Sequence, residues 1–126
     1  MPGALRRFFE LLDGPQAERS LGMLADDLRF SILFSDGPGD AHDFAGGRAE
    51  FDGYMARRGA PTWTHHVLAE LADRDVEVVF GETRQEGAAL ASFVAAIRLD
   101  SDGRIARYIV GRSPAVLFDL ERGAPG

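Results

Sequence analysis

The sequence predicts an α+β fold, with helices in its first half and an antiparallel sheet in its second. Three observations carry this prediction. Apolar residues recur at helical spacing near the N-terminus, four long stretches with strand character fill 62–113, and only short turns separate those stretches. Such turns force neighbouring strands to be antiparallel, because a parallel return needs a crossover of about a dozen residues or more.

The elements follow in order. Leu5, Phe8, Phe9 and Leu12 form one apolar helix face, with Arg6, Arg7 and Glu10 opposite. Asp13-Gly14-Pro15 ends that helix, since glycine relaxes φ and proline cannot continue the hydrogen-bond ladder. A short second helix fits 16–25, with Ala17, Leu21, Leu24 and Ala25 on one stripe. Leu28, Phe30, Ile32 and Phe34 alternate with Arg29 and Ser31, the period of a strand. Residues 35–47 read as a loop, dense in turn formers at Asp36-Gly37-Pro38-Gly39-Asp40. A third helix fits 48–58, with Phe51, Tyr54, Met55 and Arg58 near one face, and stops at Gly59-Ala60-Pro61. Strands are expected over about 62–72, 76–84, 88–99 and 104–113, with turns at Asp73-Arg74-Asp75, Gln85-Glu86-Gly87 and Ser101-Asp102-Gly103. Ser113-Pro114 starts a short C-terminal helix carrying Val116, Leu117 and Leu120.

Stretches 76–80 and 88–97 are apolar at both parities, so both faces of the sheet should be covered. The helices take one face. A second copy of the chain is expected on the other, making a homodimer through the outer sheet face. A curved sheet wrapped around three helices makes a cone with a closed apolar bottom and an open mouth. That shape suits a small hydrophobic ligand.

Composition narrows the function classes. The 126 residues suffice for one domain, with a core expected over about 4–118. Cysteine is absent, which excludes disulfides, thiolate zinc sites, iron–sulfur clusters and cysteine nucleophiles. Twenty acidic against 14 basic side chains give a net charge of −6 without a basic cluster, so neither nucleic acid nor a membrane is an expected partner. No apolar run approaches the ~20 residues of a membrane span. The start, MPGALRRFFELL, is patterned as a helix face rather than a signal peptide, and a cytoplasmic location is expected. Asp36, Asp40, His42 and Asp43 cluster without calcium or zinc spacing, so that loop reads as a turn-rich rim and no metal site is expected. There is no P-loop, dinucleotide fingerprint or serine-nucleophile elbow.

Three segments carry a family resemblance. Leu24-Ala25-Asp26-Asp27 enters the first strand, Phe44-Ala45-Gly46-Gly47-Arg48 precedes the third helix, and Ile97-Arg98-Leu99-Asp100-Ser101-Asp102-Gly103-Arg104-Ile105 forms the last hairpin. Together with the element order they resemble the nuclear transport factor 2-like superfamily, which includes SnoaL-like polyketide cyclases and ketosteroid isomerase-like proteins. The resemblance implies a cystatin-like, cone-shaped α+β barrel, with three N-terminal helices packed in a strongly curved mixed or antiparallel sheet. It implies no metal or organic cofactor. The scaffold hosts many unrelated functions, so chemistry has to be read residue by residue.

Ketosteroid isomerases carry a tyrosine donor, an aspartate base and a protonated aspartate donor. The matching positions here are Phe8, Ile32 and Ala95, which neither take nor give a proton. The limonene-epoxide-hydrolase branch uses an arginine and two aspartates. The segment Glu82-Thr83-Arg84-Gln85-Glu86 is out of register for it, and Val110 stands where an aspartate is needed. Dehydratase-like members pair a strand histidine with an acid or tyrosine from the first helix. Thr64-His65-His66-Val67 resembles that histidine segment, with the acid partner missing or displaced to Asp13 at the helix end.

Adjacent strand residues face opposite ways, so at most one of the two histidines points into the cone. The family comparison puts His66 there, as a candidate catalytic base, and His65 on the other side or against the ligand. The plainer alternative is a pair of structural histidines. Glu82 and Arg84 share a strand face with Phe80 and enter the pocket if Phe80 does; otherwise they are a solvated pair near a strand end. The resemblance places Tyr108 and Arg112 in the pocket, Tyr108 as a hydrogen-bond donor and Arg112 at the mouth, attracting an anionic ligand. Packing and surface roles remain open for both. Tyr54, Trp63 and Phe93 are walls of the pocket or core. The expected function is therefore cofactor-free isomerisation, dehydration or cyclisation of a small molecule, or a ligand-binding or dimerisation module that lost catalysis.

Overall fold

The computed structural model describes residues 3–35, 41–57 and 62–119. Helix α1 spans Ala4–Leu12 and a 3-10 helix spans Ala17–Met23. Strands β1 (Leu24–Ser35) and β2 (Ala41–Gly47) precede α2 (Arg48–Arg57). The long strands are β3 (Thr64–Asp73), β4 (Val76–Gln85), β5 (Ala88–Leu99) and β6 (Ile105–Ser113). All six form one sheet in the order β2-β1-β6-β5-β4-β3, antiparallel throughout except for the parallel β1–β6 pair. This is the α+β architecture expected, a mixed sheet around three helices.

Four of the five strand pairings contain a register shift, each a point where a strand bends. The curved inner face receives Leu5, Phe8, Phe9 and Leu12 of α1, all buried, and Phe51 of α2. Helix α1 enters the cone with help from the sheet. The carboxylate of Glu77, on β4, accepts the N–H groups of Gly3, Ala4 and Leu5 at 3.3, 3.2 and 3.0 Å. It supplies the acceptors that the first turn lacks and puts a negative charge at the positive end of the helix. Helix α2 begins similarly, with Glu50 accepting the N–H of Gly47 at 2.8 Å.

Three expectations are corrected. Part of the 35–47 loop is strand: β2 pairs with β1, Phe44 opposite Ile32. Residues 36–40, and with them Asp36 and Asp40, lie outside the described residues. The second helix is a 3-10 turn that buries Ser20, while Leu24 and Ala25 belong to β1. No helix forms over 114–119, because that segment crosses the outer sheet face instead. There Ser92 Oγ donates to the carbonyl of Val116 at 2.7 Å, and Phe118 lies on Phe80 with ring centroids 4.2 Å apart. Within one chain, the outer face leaves Val94 and Ile109 52% and 59% exposed. Among the described residues, no helix is long and apolar enough to cross a membrane.

Candidate active site

Strand pairing decides which side chains enter the cone. Phe93, Ala95 and Ile97 of β5 are buried on the inner face. Val79 pairs with Ala95, Gly81 with Phe93 and Thr83 with Ala91, so these β4 residues face inward and Phe80, Glu82 and Arg84 outward. On β3, His65 pairs with Thr83 and His66 with Glu82. His65 therefore faces the cone and His66 the outer side, the reverse of the expected assignment.

His65 sits among aromatic rings. It stacks on Phe9 at 4.2 Å and meets Trp63 and Phe93 edge-on at 5.1 and 5.2 Å. Its partner is Asp13, which the sequence had placed at the end of α1 and out of position. Asp13 does reach: its carboxylate oxygens lie 3.0 and 3.1 Å from Nδ1, and Oδ2 also accepts the His65 backbone N–H at 2.6 Å. A carboxylate only accepts, so Nδ1 carries the proton and Nε2 of the neutral ring is a base. Asp13 borders a groove between α1 and β3 and not the interior, whereas His65 borders both.

The interior is mostly full. Phe8, Phe51 and Tyr108 pack within 6.5 Å of one another, and Phe9 meets Phe93 at 5.4 Å. Among the described residues, a cavity of about 40 Å³ borders these rings, room for a few waters. Buried Ile32, Phe51, Phe93 and Tyr108 line its floor, with half-buried Tyr54, Trp63 and Arg112 and exposed Leu33 further out. The guanidinium carbon of Arg112 stands 4.8 Å from the centroid of the Trp63 ring, a cation–π contact.

The remaining sequence candidates form a separate cluster on the outer face. Arg84 Nε donates to Glu82 Oε1 at 2.8 Å, and Glu82 is only 1% exposed. This pair is neither in the cone nor solvated. Arg84 Nη1 lies 3.4 Å from His66 Nδ1, and Thr64 Oγ1 lies 2.8 Å from His66 Nε2. A guanidinium only donates, so Nδ1 accepts and Nε2 carries the proton to Thr64. Burial first, and then the Arg84 charge, lower the His66 pKa from its ordinary 6.5. Phe80 lies under Phe118 and lines an outer groove rather than the cone. Reasoning from sequence named Asp13 only as a displaced partner at the helix end, and it missed Leu12, Leu33 and Phe51 as lining. The signal available for Asp13 was an acid at a helix C-terminus, where the macrodipole disfavours it. Among the described residues no group of histidine and acidic side chains is arranged to hold a metal ion.

No protein-family model and no curated protein matches the chain. Solved structures do. A candidate isomerase of the SnoaL-like family from Agrobacterium tumefaciens superposes with a TM-score of 0.68 at 13% identity, covering 87% of this chain and 94% of that one. A candidate ketosteroid isomerase from Kribbella flavida gives 0.66 at 21% identity, covering 96% and 83%. A candidate polyketide cyclase from Streptomyces antibioticus gives 0.66 at 14% identity, covering 87% and 89%. With the strand order and the helices inside the curve, these likenesses establish that the chain has the nuclear transport factor 2-like fold shared by SnoaL-like and ketosteroid isomerase-like proteins.

Proposed function

We propose that this protein is a cofactor-independent enzyme that moves a proton on a small, mostly apolar molecule, in an isomerisation, dehydration or cyclisation. The observation that carries this reading is the Asp13–His65 dyad, whose histidine borders a mostly apolar interior. Nε2 of His65 takes a proton from a carbon beside a carbonyl. Asp13 stabilises the imidazolium that results, and the electron pair moves onto the carbonyl oxygen. Tyr108 also borders the cavity and is the proposed donor to that oxygen. The proton returns at a second position, or leaves with a hydroxyl group as water. Apolar walls keep bulk water from quenching the anion. The names of the structural neighbours, candidate isomerases and a candidate cyclase, support the same reaction class. On the resemblance, Phe8, Ile32 and Ala95 stand where the steroid isomerases carry their donors and base, so here the dyad supplies the base.

Deuterium incorporation from heavy water into a panel of cyclic ketones and hydroxylated aromatics tests this. The wild-type protein should catalyse exchange on at least one member. His65→Gln should lower it by about 10²–10⁴-fold. Tight binding without exchange on any member would instead identify a ligand-binding module.

The outer face fits a second copy of the chain. Leu33, Val94, Ile109 and Phe118 expose apolar surface there, more than a solitary sheet face favours. Sedimentation at micromolar concentration should give twice the 13.7 kDa chain mass, and Ile109→Arg should return the monomer.

A further inference from the structure

We infer that the outer sheet face carries a binding site for a compact, multiply charged oxyanion, built from Arg29, Arg98 and Arg107. Strand pairing brings these residues together from distant parts of the sequence. Arg107 of β6 pairs with Arg29 of β1 on one side and with Arg98 of β5 on the other. Neighbouring strands lie about 4.8 Å apart, so the row spans about 10 Å. Phe30, Ile97 and Tyr108, next to them in sequence, are buried on the inner face, and the three arginines are exposed on the opposite one.

Like charges directly opposite one another destabilise a sheet. This row holds two such contacts, and nothing beside it neutralises them. Among the described residues, none of the three arginines forms an ion pair with a carboxylate. The middle one is also fixed in place. Arg107 Nη1 donates to the main-chain carbonyls of Asp27 at 3.1 Å and Ala106 at 2.7 Å. Asp27 thus contributes its carbonyl and not its carboxylate, which orients the guanidinium without cancelling its charge. On the β5–β6 turn, Asp100 is engaged elsewhere, its Oδ1 accepting the N–H groups of Asp102 and Arg104 at 2.9 and 3.0 Å. A fixed cation between two unpaired ones suits clustered anionic oxygens, which the planar fork of each arginine binds in pairs. An exposed arginine gains little from a single charge, so the ligand must meet all three at once. It must also be compact, because a long polyanion would run off the row onto a chain whose net charge is −6. The site depends neither on the dyad nor on a second copy of the chain.

Isothermal titration calorimetry at low ionic strength tests it. The probes are tripolyphosphate and citrate, one for each common source of clustered oxyanions, with orthophosphate as the sparsely charged reference. The wild-type protein should bind at least one of the two about tenfold more tightly than orthophosphate, and the tighter one identifies the source. Arg98→Gln and Arg107→Gln should each weaken that binding about three- to tenfold. Arg7→Gln, the same loss of charge on helix α1, should leave it nearly unchanged. Without ligand, Arg98→Gln should melt no lower than the wild type, since it removes a repulsive contact; a lower melting temperature would mean that the chain already satisfies the row, and would count against the site. No heat from either probe at millimolar concentration, or equal weakening by Arg7→Gln and Arg107→Gln, would overturn it. So would a dimer lost in Arg107→Gln with no oxyanion bound, which would give the row to a second copy instead.

Discussion

His65 and His66 are neighbours on one strand, each beside a carboxylate and within reach of an arginine's surroundings, yet their rings end in opposite states. His65 is held by an anion, protonated at Nδ1, and its ring borders a mostly apolar interior. His66 accepts from a cation, is protonated at Nε2 and gives that proton to Thr64. The difference lies in parity alone. A strand turns successive side chains to opposite faces, and the two faces of this sheet present different partners. A single-residue register slip would exchange the two roles.

The largest expected effect comes from disturbing one histidine and not the other. Asp13→Asn keeps the shape of the dyad, but the amide can present its NH₂ to Nδ1 and push the ring proton onto Nε2. Proton exchange should fall by about 10²–10⁴-fold, as in His65→Gln. His66→Gln should stay within a few-fold of wild type, because its ring faces away. A His66→Gln loss as deep as that of His65→Gln, measured by the same deuterium assay, would erase the distinction.

Gly81 keeps the two faces in register. It pairs with Val67 on one side and Phe93 on the other. A Cβ there would overlap the carbonyl oxygen of His66 and come within 2.8 Å of the Phe93 ring. Backbone on one side and a buried ring on the other leave little room to yield. Gly81→Ala should cost about 2–3 kcal/mol in urea unfolding. Unchanged stability would mean that β3 can shift along β4, weakening the parity argument.

The two ends of α1 sharpen the comparison. Glu77 sits at the N-terminal end, where a carboxylate is favoured, and Asp13 at the C-terminal end, where it is not. Glu77→Ala leaves three N–H groups without their acceptor and should cost about 2 kcal/mol. Asp13→Asn removes an unfavourable dipole contact of about 0.3–1 kcal/mol, which offsets part of what its hydrogen bonds contribute. Thermal melts should therefore show Glu77→Ala well below Asp13→Asn, the reverse of their order in the exchange assay.

Much of this architecture was legible before the coordinates. The α1 face Leu5, Phe8, Phe9, Leu12 and the three hairpins of the long strands follow from periodicity and turn chemistry, which are local. Strand β2 was not, because Ala41-His42-Asp43-Phe44-Ala45-Gly46-Gly47 has poor strand propensity and is held by the edge of β1. The facing of Phe80, Glu82 and Arg84 was a matter of parity. Their common face could be read, but which face it was depended on pairing with β5, where both parities are apolar. The Asp13–His65 pair joins positions 52 apart, a contact that no local pattern encodes.

The smallest effect is one of pH. Burial and Arg84 lower the His66 pKa below its ordinary 6.5, so between the two values the folded ring binds fewer protons than the unfolded one. Acidification then favours unfolding. The contribution is fully present above 6.5, begins to fall as pH drops through that value, and levels off only below the lowered folded value. Urea midpoints measured from pH 7.5 downward should decline more steeply for wild type than for His66→Gln, with the two profiles converging toward the acid end. The loss has a structural cause: a protonated Nδ1 can no longer accept from Arg84, and two cations are left 3.4 Å apart. Parallel profiles would mean that Arg84 swings clear on protonation, and that Glu82 alone holds it in place.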